Sequence, residues 1–355
     1  MLRTTTVAVA AAAIVVSLHG QQPPSTGRAP EQEGGFRFRS GIELINVTAT
    51  VSDLTGRFVP GLRQEDFLVY EDDQLQAVTH FSAERVPVSL GIALDTSQSM
   101  SGEKIREART AIDRLLEALA DSEDEFFLYR FSTRPMLIQE WTAERGAISR
   151  ALTNVTPLGQ TAMYDAIAEA IPLAQQGRNQ KKALVVISDG NDTSSRHTLA
   201  DARQRIHESE TLVYAIGVDC DAPALGRSPL QQRRGRGRMP IPFPFPPIGG
   251  RGRPSWPPPT GPQGPSGRQD FQRCSDPVDS VALRDLTDDS GGRTEIIRDP
   301  HDLNPATTRV ADELSKQYYL GYPASGKKDG RWHAIRVEVR NHAYRVRARR
   351  GYVAS

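Results

Sequence analysis

The chain's 355 residues allow two domains and a sizeable core, and its formal net charge of +1 singles out no polyelectrolyte as a partner. That balance hides an asymmetry: residues 222–273 carry nine Arg, no Lys and one acidic residue, Asp270, so the remainder is mildly acidic. Two cysteines, no CxxC spacing and scattered histidines exclude a zinc scaffold.

Residues 1–20 have the plan of a signal peptide. Arg3 supplies a short positive start, and residues 7–18 form an apolar stretch too short for a spanning helix of about 20 residues. Gly20 is a small residue ahead of the expected cut, and an uncleaved anchor is the alternative. No other run is long enough to cross a membrane, so the body is expected outside the cytoplasm, periplasmic or extracellular, with no integral span after cleavage. Residues 21–40 are polar and rich in Pro, Gly and Gln, as a linker is. Residues 41–86 form an N-terminal β-unit, in which Ile45, Val47, Ala49 and Val51 alternate with polar neighbours.

Residues 87–322 alternate strands with helices. Strands are expected at 88–94, 125–131, 183–188, 211–218 and 293–297. Helices are expected at 104–120, 143–152, 162–175, 199–207, 280–287 and 303–317. Continuous apolar strands between amphipathic helices predict an α/β fold with a doubly wound, mostly parallel sheet covered on both faces. Residues 323–355 carry two alternating stretches around Asn341-His342, which predicts a hairpin. Neither set of terminal strands is large enough to stand alone, so both are expected in one small β-sandwich flanking the α/β unit.

Within the α/β unit, Asp95, Ser97 and Ser99 fall at i, i+2 and i+4 where an apolar strand runs out. Thr161 lies downstream at the start of a helix, and Asp189 follows a second apolar strand. Hydroxyls and carboxylates are hard donors, suited to Mg²⁺, Mn²⁺ or Ca²⁺ rather than zinc. Ligands of parallel α/β sheets bind beyond the carboxyl ends of the strands, where both aspartates fall. On an extended segment Thr96 and Gln98 point the other way. Asp192 and Thr193, beyond the second aspartate, suit loop or capping positions.

Taken in order, Asp95-x-Ser97-x-Ser99, Thr161 and Asp189 resemble the metal-ion-dependent adhesion site of von Willebrand factor A domains. The resemblance runs over residues 87–322. It implies a Mg²⁺ held directly by Ser97, Ser99 and Thr161, with Asp95 and Asp189 acting mostly through water. The remaining coordination position goes to an Asp or Glu carboxylate of a partner protein. The flanks, with Gly61-Leu-Arg-Gln-Glu-Asp-Phe and Asp329-Gly-Arg-Trp-His, are similar to exported von Willebrand A-related proteins of acidobacterial type. The resemblance therefore implies a non-catalytic, metal-dependent binding or adhesion module. A Mg²⁺-dependent hydrolase and an assembly module with a stabilising metal are the alternatives. Against the hydrolase, there is no Gly-x-Ser-x-Gly, P-loop or HExxH, and His197 is the only histidine near the motif in sequence.

The segment 222–273 is dense in Pro, Gly and Arg, cannot build a core, and is expected to be disordered or polyproline II. It leaves the sheet at a strand's carboxyl end, so it is expected beside the metal site as a basic arm for acidic partners rather than for nucleic acid. Cys220 and Cys274 bracket it, and an even cysteine count in an exported chain predicts a disulfide, worth about 3–4 kcal/mol by loop closure.

Overall fold

The computed structural model describes residues 44–119, 121–189, 191–219, 278–324 and 329–354. The signal peptide, the linker, the basic segment and both cysteines of the expected disulfide lie outside the described residues.

The chain begins with β1 (Leu44–Ser52), β2 (Phe67–Glu71), β3 (Gln74–Gln76) and β4 (His80–Ser82). The α/β part follows as β5 (Val88–Asp95), α1 (Glu103–Ala118), β6 (Glu125–Phe131), β7 (Pro135–Thr142), α2 (Arg145–Thr153) and α3 (Met163–Gln175). It continues with β8 (Lys181–Ser188), α4 (Leu199–His207), β9 (Leu212–Val218), α5 (Ser280–Thr287), β10 (Thr294–Ile297) and α6 (Leu303–Lys316). The last strands are β11 (Tyr318–Pro323), β12 (Trp332–Val339), β13 (Arg345–Ala348) and β14 (Gly351–Val353).

Six strands form the central sheet in the order β10-β9-β8-β5-β6-β7. All neighbours are parallel except β6 and β7. Alternate residues serve opposite faces. Leu90, Ile92 and Leu94 of β5 pack with Val185 and Ile187 of β8 under α1 and α6. Ala93, Leu184 and Val186 pack on the other face with Ile167 and Ile171 of α3. Double burial is why these strands read as unbroken apolar runs. The doubly wound α/β fold is as the sequence predicts.

β7 is absent from the sequence reading. Its residues are mostly half-buried at the sheet edge, and its ladder with β6 shifts register twice, so neither an apolar run nor a clean alternation marks it.

The outer strands build two antiparallel sheets, β13-β1-β11-β4 and β14-β12-β2-β3. Val47, Ala49 and Val51 share a core with Val69, Leu320 and Ile335, so strands from both ends of the chain close over one interior. Two boundaries differ from expectation. Tyr318–Pro323, counted with the α/β part, is a sandwich strand paired with β1. The expected C-terminal hairpin is not one: β12 pairs with β2 and β14, whereas β13 pairs with β1 in the other sheet. The turn after β12 carries the chain across the sandwich, and a buried alternating strand looks the same in sequence whichever neighbour it has.

A polar cluster joins the two parts. Glu313 of α6 accepts hydrogen bonds from Thr50 of β1 at 3.1 Å and from the Tyr214 hydroxyl of β9 at 2.9 Å, and it pairs with Arg347 of β13. Gln317 donates to Thr50 and Tyr214 at 3.1 and 2.9 Å. At the opposite end of α6 from its start, buried Lys181 donates to the Leu314 carbonyl at 2.9 Å, a cation at a helix C-terminus.

Burial, and secondarily Arg85, pulls Lys181 down to about 8 from 10.5. A depressed lysine is penalised while charged, and the penalty is relieved as pH rises between the folded and unfolded values. Lys181→Met is therefore expected to be more stable than the wild type near pH 7, and that advantage should shrink by up to about 3 kcal/mol between pH 8 and about 10. Urea unfolding of both proteins across that range checks it, and a constant difference would contradict it.

Candidate metal site

The chain runs from β5 to β6 on one side, and β8 then inserts on the other side of β5. The crevice between the carboxyl ends of β5 and β8 is thus the point where the winding reverses, the ligand position of open α/β sheets. Asp95 ends β5, and Asp189 directly follows β8.

Both carboxylates are buried, with Asp95 0% and Asp189 2% exposed. Asp95 Oδ1 accepts the Ser97 amide at 2.8 Å and Oδ2 accepts the Ser188 hydroxyl at 2.5 Å. The Ser97 and Ser99 hydroxyls are 3.0 Å apart, and Ser99 donates to Asp189 Oδ1 at 2.7 Å. Lys104, from the first turn of α1, pairs with Asp189 Oδ2. Four of the five residues singled out by the sequence thus form one continuous hydrogen-bonded arc. Ser97 is buried and Ser99 exposed, so the arc opens to solvent at its middle.

Thr161 joins through the backbone. Gln98 donates its amide to the Gly159 carbonyl at 3.0 Å, and Leu158 donates to the Thr96 carbonyl at 2.8 Å. The 158–161 loop is therefore stitched to the 96–98 loop. From the other side, Thr193 and Ser194 donate to the Thr161 carbonyl at 2.8 and 3.0 Å, and Thr161 donates to the Thr193 hydroxyl at 3.0 Å. Gly159 turns the chain there at φ 90°, a left-handed conformation that favours glycine.

The neighbours behave as spacing predicts. Thr96 is buried and donates its hydroxyl to the Phe131 carbonyl at 2.9 Å, away from the arc, and Gln98 is exposed. Met100 is buried in the core. Asp192 accepts the Tyr164 amide at 3.0 Å and the Ser195 hydroxyl at 2.5 Å, while Ser195 accepts the Asp165 amide at 2.9 Å. These loop side chains cap α3, the helix that follows Thr161. His197 is engaged by Asp165, with Nδ1 2.7 Å from Oδ1.

Two contacts escaped the sequence reading. Ser188 faces Asp95 only because Leu94 pairs with Ile187, a register that one strand alone does not reveal. Lys104 meets Asp189 across 85 positions. No local signal marks either of them.

Burial, opposed by the Ser188 hydrogen bond and reinforced by the Asp189 charge, pushes Asp95 up to about 7. Two buried carboxylates with one lysine, paired with Asp189, leave a negative surplus in low dielectric. Oxygen donors around such a surplus suit a hard divalent cation, so the residues present fit the metal that the motif implies.

Residues 90–191, within the α/β part, match the von Willebrand factor type A domain family. Inter-alpha-trypsin inhibitor heavy chain H4 from Homo sapiens is 24% identical over 143 residues, 37% of this chain and 15% of that protein. Its Bos taurus counterpart is 27% identical over 125 residues, 32% of this chain and 13% of the relative. The chain thus spans only a small part of these relatives. A von Willebrand factor type A structure from Catenulispora acidiphila is 13% identical, covering 90% of this chain and 74% of the other, with a TM-score of 0.45. BatB from Bacteroides thetaiotaomicron is 19% identical over 64% of this chain and 98% of its own, with a TM-score of 0.41.

Removing the α3 cap should loosen the Thr161 loop. Asp192→Ala is expected to cost about 1–2 kcal/mol, the scale of a lost N-terminal cap. Chemical denaturation measures it, and a loss below a few tenths would show that the cap is dispensable.

Proposed function

We propose that this protein binds a partner protein through a divalent metal, without catalysing a reaction, and that it works outside the cytoplasm. The observation that carries the reading is the arc from Asp95 through Ser97 and Ser99 to Asp189 at the switch point of the sheet. Mg²⁺ is the favoured ion, and Mn²⁺ or Ca²⁺ suit the same donors. Ser97, Ser99 and Thr161 would hold the ion, and Asp95 and Asp189 would act through water while fixing the serine hydroxyls. A bound ion there supplies a Lewis-acidic centre that attracts a carboxylate.

The protein's own residues set how strong that attraction is. Among the described residues only Asp95 and Asp189 would face the ion, and Lys104 offsets part of Asp189, so the centre would keep positive charge for a partner's Asp or Glu. The exposed position of Ser99 leaves the site approachable. The engagement of His197 with Asp165 supports binding over hydrolysis, because that ring is committed to the loop. Export rests on the signal-like start. Among the described residues no helix is long and apolar enough to cross a membrane.

Asp95→Ala and Asp189→Ala should each weaken Mg²⁺ binding by at least about tenfold, as loss of groups acting through a metal's ligands does, with far-UV circular dichroism unchanged. Lys104→Gln should strengthen it several-fold by removing a nearby positive charge. Titration calorimetry reads all three, and unchanged affinity in both aspartate variants would remove the site assignment. A pull-down from native extract with and without EDTA tests the function itself. Capture that persists in EDTA would favour an assembly module with a merely stabilising metal.

A further inference from the structure

A second constellation of ligating groups lies in the sandwich, on residues that the first site does not use. The β2–β3 turn is built on Asp72 and Asp73, both left-handed, with φ 47° and 62°. This two-residue turn brings Glu71 and Asp72 against His333 of β12. Asp72 Oδ2 lies 2.7 Å from His333 Nδ1, and Glu71 Oε1 lies 4.0 Å from the same nitrogen. Each residue offers one ligand atom such that all three atoms fall within 4.8 Å of one another.

We infer that Glu71, Asp72 and His333 form a binding site for a divalent transition-metal ion of the zinc class. Ligand atoms about 2.1 Å from a tetrahedral ion stand about 3.4 Å apart, and the observed separations bracket that value. Small side-chain adjustments would close the set. The outward oxygens are already committed to positioning. Asp72 Oδ1 accepts the Ala334 amide at 2.9 Å, and Glu71 Oε2 accepts the Tyr352 hydroxyl at 3.3 Å. The far side of the imidazole faces Asp329, whose Oδ1 is 3.2 Å from Nε2. A carboxylate on the remote nitrogen directs the Nδ1 lone pair toward the ion, as around histidine ligands of metals generally.

The charges around the cluster also favour a cation there. Glu71, Asp72 and Asp329 place three carboxylates around one imidazole, and Glu71's side chain is only 2% exposed. Burying the Glu71 carboxylate is costly and favours a cation beside it. The wholly buried Tyr322 hydroxyl lies beside Glu71. Burial and then the neighbouring Glu71 push that phenol well above its usual range, so it stays a protonated donor beside the cluster. The donor set also separates the two sites: one nitrogen with two carboxylate oxygens favours Zn²⁺, whereas an all-oxygen site favours Mg²⁺. Three protein ligands leave a coordination position open.

The test is titration of the full wild-type chain with ZnCl₂ by calorimetry in excess Mg²⁺, so that hard-oxygen sites are filled and the result is independent of the proposed function. One Zn²⁺ per chain is expected, weakened at least about a hundredfold in His333→Gln. In Asp329→Asn, which keeps all three ligands, it should weaken about 10- to 100-fold. If His333→Gln loses its fold, Asp72→Asn replaces it, because the amide oxygen can still accept from Ala334 while the anionic ligand is gone. Zn²⁺ should raise the melting temperature of the wild type and not of Asp72→Asn. The inference is overturned if no Zn²⁺ binds, or if binding is undiminished in His333→Gln and Asp72→Asn, which would make the cluster a hydrogen-bonded ion network only.

Discussion

Two like charges buried side by side are the constraint around which the α/β part is arranged. Asp95 and Asp189 sit at the ends of adjacent parallel strands, in a crevice that strand order alone creates. Their repulsion in low dielectric would cost several kcal/mol if nothing compensated it. The fold supplies amide, hydroxyl and ammonium partners from three different segments: Ser97 and Ser99 after β5, Ser188 at the end of β8, and Lys104 at the start of α1. Those partners are oriented as much as they are compensating. A serine that satisfies an aspartate has its lone pairs turned the other way, toward whatever occupies the crevice. The site is therefore preorganised by the electrostatic problem that it poses.

The loops around the site depend on one another for the same reason. The 96–98 and 158–161 loops share two backbone hydrogen bonds, and the loop after β8 both grips Thr161 and caps α3. The loop that carries Thr161 is thus held by backbone hydrogen bonds from two sides. A change in any one of these loops is transmitted to the others through short, directional bonds rather than through side-chain packing. The sandwich is connected at the far end of the same part, through Glu313 and Gln317 near the end of α6. The two cores thus share a helix but not a site.

Much of this was legible from residue order. Fully apolar runs such as Ala183 to Ile187 have one physical meaning, a strand buried on both faces, and the side-chain alternation of β1 has another. The positions of Asp95, Ser97, Ser99 and Asp189 followed from where those runs end. What was not legible depends on partners distant in sequence. β7 is an irregular edge strand, so its pattern is blurred by partial exposure. β12 and β13 alternate like a hairpin yet serve different sheets, because alternation reports burial and not the identity of the neighbour. Lys104 reads as an ordinary polar residue at a helix start, and only the folded chain shows that it faces Asp189. His333 reads as one member of an alternating strand until the Glu71-Asp72 turn is placed beside it.

The central claim is that one divalent ion sits among Ser97, Ser99 and Thr161 at the β5–β8 switch point. The most direct measurement is an anomalous difference map from crystals of the protein grown or soaked with Mn²⁺, collected at the manganese edge. The account predicts a peak bounded by those three hydroxyls, with Asp95 and Asp189 facing it through ordered water. A map with no peak in that crevice, under conditions where Mn²⁺ binds the protein in solution, would contradict it.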